Sequence, residues 1–125
     1  MLTLPLTVQI FLCTWPTDMR KSFDGLTAMA RHVVRQDPLL GHLFLFFGRS
    51  RKMCKMVWWD GAGFSMFARK LALGRFKIPS VDSGGTHVQI DATELLCILE
   101  GIDLGRAGRR PRWHPPERKK VIDTS

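Results

Sequence analysis

The chain has 125 residues, 45% of them apolar and 24% charged, the make-up of one ordinary globular domain with room for a tail. That composition excludes wholesale disorder, collagen and coiled coil, and no apolar run approaches the roughly 20 residues of a membrane-spanning helix. Nineteen Lys and Arg against eleven Asp and Glu leave a net charge of +8, which points to a polyanionic partner more than to charge kept for solubility.

From the N-terminus, Leu2, Leu4, Leu6, Val8, Ile10 and Leu12 fall on alternate positions, with Thr3, Thr7 and Gln9 between them. A period of two predicts a strand with one buried face. Pro5 lacks a donor N–H, so the regular strand starts near Thr7 or lies on a sheet edge. No basic residue precedes Arg20, so a signal peptide is not expected. Pro16 ends the strand, and Thr17 or Asp18 can cap a main helix over about 18–36. Met19, Phe23, Leu26, Ala30, Val33 and Val34 recur at three- and four-residue steps as its apolar stripe. Gly25 inside it costs about 1 kcal/mol of propensity, which predicts close packing there. Asp37-Pro38 terminates it.

Strand-like pieces follow at 42–47, 52–59 and 64–69. The basic turn Gly48-Arg49-Ser50-Arg51 separates the first two, and Asp60-Gly61, a tight-hairpin signal, the second and third. The stretch 66–73 also fits a helical turn or two. Residues 76–78 read as a last short strand before Pro79. A loop at 80–86 with Gly84-Gly85 precedes a short strand at 87–90. Asp91 and Glu94 match a capping box for a short C-terminal helix over about 92–100, and Gly101 takes the C′ position. Beyond Gly105 little remains to bury. The expectation is a single α+β domain over 1–104, an antiparallel meander sheet with helices on one face, followed by a flexible basic tail over 105–125.

Charge is unevenly placed. Residues 48–77 carry eight basic groups and one acid, whereas 78–104 carry five acids and no basic group. The nucleic-acid-binding candidates are therefore Arg49, Arg51, Lys52, Lys55, Arg69, Lys70, Arg75 and Lys77, joined by Arg109, Arg110 and Arg112 of the tail. Trp58 and Trp59 lie on opposite sides of a strand, where core packing is favoured over base stacking. Cys13, Cys54 and Cys97 have no zinc, redox or disulfide spacing and read as buried hydrophobes in a reducing cytoplasm. Asp18 and Asp24 lie about 240° apart around a helix and share no face. Asp60 reads as a turn residue and Asp91 as a cap. His32, His42, His87 and His114 are scattered without metal-ligand spacing. No catalytic constellation, metal or cofactor is expected.

Three stretches are similar to a known family: Pro16-Thr17-Asp18-Met19-Arg20-Lys21-Ser22-Phe23-Asp24-Gly25-Leu26; Lys55-Met56-Val57-Trp58-Trp59-Asp60-Gly61-Ala62-Gly63-Phe64 with Lys70-Leu71 and Gly74-Arg75-Phe76; and Leu99-Glu100-Gly101-Ile102-Asp103. They resemble the TnpB-type (second reading frame) accessory protein of the IS-sixty-six insertion-sequence family. Trp58 stands where the family usually has an aliphatic residue or Tyr, and Ala72 where an acid is common. The resemblance implies a non-catalytic role in bacterial DNA transposition beside a separate transposase, with the DNA of insertion-sequence ends, the transposase, or both as partners. A pure protein–protein adaptor of the transposase is the alternative. No catalytic residue is carried across.

Overall fold

Alternating apolar residues divide the core between the two sides of one sheet. The computed structural model describes residues 8–79 and 85–101. Leu2, Leu4, Leu6, Gly84, Asp103, His114 and the predicted tail with Arg109, Arg110 and Arg112 lie outside the described residues. The strands are β1 (Ile10–Cys13), β2 (Leu43–Phe47), β3 (Met53–Trp59), β4 (Phe64–Lys70) and β5 (His87–Ile90), in the order β4-β3-β2-β1-β5. β1 and β2 run parallel, and every other neighbouring pair is antiparallel. The parallel pair arises because the connection 14–42 is long enough to cross over through a helix, whereas β2, β3 and β4 are joined by short turns. β1 thus sits inside the sheet rather than on its edge.

Helix α1 (Phe23–Met29) continues as a π-helical stretch, Ala30–Val34, and ends where Arg35 turns left-handed at φ 62°. Helix α2 spans Ala92–Glu100. Both halves of its capping box are formed: Glu94 N–H donates to Asp91 Oδ1 (2.7 Å) and Asp91 N–H to Glu94 Oε1 (3.0 Å). Gly101 closes α2 at φ 76°.

The one-sided packing expected from the sequence is corrected by the positions of the helices. Ile10, Leu12, Leu43, Leu45, Phe47, Cys54 and Met56 face α2 through Leu95 and Ile98, with Phe76 beside them. Phe11, Cys13, Phe44, Phe46 and Val57 face α1 through Leu26, Ala30 and Val34. Every residue of β1 and β2 is buried, so these two strands have no solvent side. A strand buried on both faces reads as a continuous apolar run, the pattern of 43–47. Each fully buried Leu or Phe in these layers contributes roughly 1.5–3 kcal/mol of transfer free energy.

Other expectations are revised locally. Regular helix begins at Phe23, with Ser22 in the N-cap position. Asp18 is drawn into its own turn instead: it accepts the Arg20 N–H (2.9 Å) and the Arg20 guanidinium (2.7 Å). Such local side-chain bonds compete with helix initiation. Thr17 N–H donates to Phe47 O (2.9 Å), which ties this leader to the end of β2. The approach is close, because a Cβ at Gly48 would lie 2.9 Å from Cγ of Met19. The neighbour crowding Gly25 is the aliphatic stem of Lys21, 3.1 Å from a Cβ built there. The stretch 66–73 is strand as far as Lys70. Residues 76–78 form no strand. The Phe76 N–H donates to Arg51 O (2.7 Å), and the ring is held by burial.

Candidate nucleic-acid interface

Strand direction decides where the charges go. β2 ends, β3 begins and β4 ends at the same end of the sheet. The turn 48–52 and the segment that follows Lys70 therefore meet there. Arg49, Ser50, Arg51, Arg75, Phe76 and Lys77 line one open cleft of about 400 Å³ at this end. Lys52 and Lys70 are exposed beside it, and Leu71 N–H donates to Lys52 O (2.7 Å) across the mouth of the hairpin. Arg51 adopts the left-handed conformation, φ 59°, that the turn requires. Among the described residues Arg49, Arg51 and Arg75 have no carboxylate within ion-pair distance. Like charges around one cleft repel, and an anion seated among them relieves that repulsion.

Two of the eight candidates are directed elsewhere. Lys55 Nζ donates to Lys21 O (2.8 Å), fastening β3 to the leader of α1. Arg69 donates to Leu99 O (2.9 Å), stands 3.7 Å from Glu100 and lies over the Phe67 ring at 5.2 Å. It fastens β4 to the end of α2. These two cations tie the sheet to its two helix layers, so their part in the fold is structural. Replacement of Arg69 by Gln is expected to cost about 1 kcal/mol of stability in a denaturant titration. The same variant should leave the salt dependence of DNA binding unchanged, and a flattened salt dependence would return Arg69 to the interface.

Three acids stand at the opposite end of the strands, with Arg35 two residues before Asp37 at the end of the π-helical stretch. Asp60 follows β3, Asp91 follows β5 and Asp37 caps the short 3₁₀ turn Pro38–Leu40 that leads into β2. Asp60 accepts from the N–H groups of Ala62 (2.9 Å) and Gly63 (3.0 Å) and from Ser65 Oγ (2.7 Å). These bonds hold its carboxyl below the usual carboxylate range, the Ala62 amide having the largest effect. They also close a four-residue hairpin loop with Gly61 at φ 97°. Asp18, beside the other end of β2, is likewise held below the usual carboxylate range, by the Arg20 guanidinium. Leu39 and Leu40 stand half or more exposed at the end that carries Asp37 and Asp60.

The two tryptophans of β3 are packing groups, as the sequence favoured. Trp58 packs on the α2 side, and Trp59 meets Phe64 edge-on at 5.0 Å. His42 and His87 both flank the Phe11 ring, at 5.6 and 6.0 Å, as packing groups. Burial raises the Cys13 thiol above its ordinary range and makes it a poor nucleophile. Cys13, Cys54 and Cys97 are all free thiols. Among the described residues no group of three or more His, Cys, Asp or Glu converges as a metal site, and no helix is long and apolar enough to cross a membrane.

The sequence singled out the cations but not which of them converge. Phe76, whose burial brings Arg75 and Lys77 to the turn 48–52, was missed as a member of the site. An aromatic flanked by two cations, Arg75-Phe76-Lys77, was the available signal.

A family model described as IS66 Orf2-like protein matches residues 8–109. The chain is 37% identical over 110 residues to the uncharacterized protein y4hO of Sinorhizobium fredii (strain NBRC 101917 / NGR234), spanning 86% of this chain and 90% of that one. It is 30% identical over 108 residues to the uncharacterized protein y4jC of the same organism, spanning 86% and 91%. No solved structure matches.

Proposed function

Because the chain belongs to the IS66 Orf2-like family, a family of transposition accessory proteins, we propose that it serves transposition by holding the phosphates of insertion-sequence ends at the cationic end of its sheet. The observation that carries this reading is the convergence of Arg49, Arg51, Arg75 and Lys77 on one cleft, with Lys52 and Lys70 beside it. Cations so grouped neutralise several adjacent phosphates and release their counterions. Among the described residues α1 and α2 lie on opposite faces of the sheet and make no helix-turn-helix pair, so the binding has weak sequence preference. The function is non-catalytic, and the tail residues Arg109, Arg110 and Arg112 extend the grip on phosphate.

The end opposite the cleft supports a second partner. Asp37, Asp60 and Asp91, with Leu39 and Leu40 exposed at the same end, suit a basic protein surface, and the transposase is the partner we assign to it. A duplex-DNA titration at several salt concentrations tests the DNA reading. Binding that weakens steeply as salt rises is expected. No binding at low salt, or binding indifferent to salt, overturns it. Co-purification with the transposase after nuclease treatment, in a chain that fails that titration, selects the pure adaptor.

A further inference from the structure

The two edges of the sheet are unlike. β5 is a four-residue edge, short enough to be a poor template for another strand. β4 has seven residues and, among the described residues, ends the strand order on the other side. Its apolar residues Phe64, Met66 and Phe67 are only half-buried. Its two charges, Arg69 and Lys70, both stand at its C-terminal end, and Arg69 is already engaged with α2.

The hydrogen-bonding phase of β4 follows from the two ends of the hairpin. Leu71 N–H donates to Lys52 O (2.7 Å) at one end, and Asp60 N–H donates to Gly63 O (3.0 Å) at the other. Both bonds belong to the same phase of the β3–β4 ladder. The odd-numbered residues of β4 therefore exchange bonds with β3, and Phe64, Met66, Ala68 and Lys70 aim their N–H and C=O groups outward.

We propose that this edge pairs with β4 of a second copy of the chain, antiparallel, about a two-fold axis at Phe67. The register is set by the outward groups. With Phe67 opposite Phe67, Met66 meets Ala68 and Phe64 meets Lys70, and all four outward residues of each strand are used. The Phe67 pair then occupies a non-hydrogen-bonded position, where opposed side chains come closest and aromatic pairs stabilise a sheet. Charge selects the direction. A parallel pairing sets the two cationic ends side by side, whereas the antiparallel one lays Lys70 beside Phe64 and the Asp60 loop of the other copy. This pairing is independent of whether DNA is bound.

Sedimentation of the DNA-free full chain over a range of concentrations tests it, alongside Ala68→Pro. Proline at 68 removes an outward donor and leaves the ladder to β3 intact, a substitution that edge strands accept. A dimer is expected for the natural chain and a monomer for Ala68→Pro with an unchanged far-UV circular dichroism spectrum. A natural chain that stays monomeric, or a folded Ala68→Pro chain that stays dimeric, overturns the proposal. If Ala68→Pro does not fold, amide exchange of the natural chain decides. Protection of Met66, Ala68 and Lys70 that rises with protein concentration supports the pairing. Rapid exchange of these amides at the highest concentration overturns it.

Discussion

Replacing Arg49, Arg51 and Arg75 together by glutamine is expected to lower affinity for duplex DNA on the order of a hundredfold at about 0.1 M salt, with no loss of fold. The three side chains surround one cleft, and none is committed to a carboxylate among the described residues. Each phosphate deprived of its cation flattens the slope of log affinity against log salt by about 0.9, so the triple variant should show a slope shallower by nearly three such steps. Glutamine keeps most of the length of the side chain and does not alter the left-handed turn at Arg51. Lys55→Gln is the control, because that cation is spent on Lys21 O. If the control weakens binding as much as the triple variant does, net charge and not the cleft governs binding. An unchanged slope in the triple variant would remove the cleft from the interface altogether.

The parts of this fold that the sequence made legible are those fixed by local chemistry. Asp91 and Glu94 are three residues apart before an apolar run, and that spacing alone specifies the capping box and α2. Asp60-Gly61 marked the β3–β4 hairpin because a short acceptor beside a glycine satisfies a tight loop. The parts not legible depend on distant partners. Alternation along 2–12 pointed to one buried face, but Phe11 and Cys13 find α1 on the other side, and nothing nearby in the sequence announces that. The start of α1 was misplaced because Asp18 can either cap a helix or bind Arg20, and the tie from Thr17 to Phe47 favours the turn. The site followed the same division. Charge density along 48–77 was visible, whereas the register of β3 and β4 sends Lys55 and Arg69 to the two helix layers and leaves the others at the sheet end.

Phe76→Ala is the substitution expected to join stability to function. The ring is buried, 5.4 Å from the Phe47 ring in an edge-on arrangement, and its removal leaves a cavity in the α2-side layer. Truncations of this kind cost about 3–5 kcal/mol, a large share of the stability of a small domain. A fall of the melting midpoint by roughly 10–20 °C would record it in a calorimeter. Residues 75–77 belong to no strand ladder; the buried ring and the bond from Phe76 N–H to Arg51 O anchor that segment. Without the ring, Arg75 is expected to lose its place against the turn that carries Arg49 and Arg51. DNA affinity, measured well below the variant's melting range, should fall at least as far as in Arg75→Gln, although no charge has been removed. Phe76→Leu refills most of the cavity and should recover both properties together. Normal DNA affinity in a folded but weakened Phe76→Ala chain would show that the cations act as a loose cloud, and that the cleft has no part in holding phosphate.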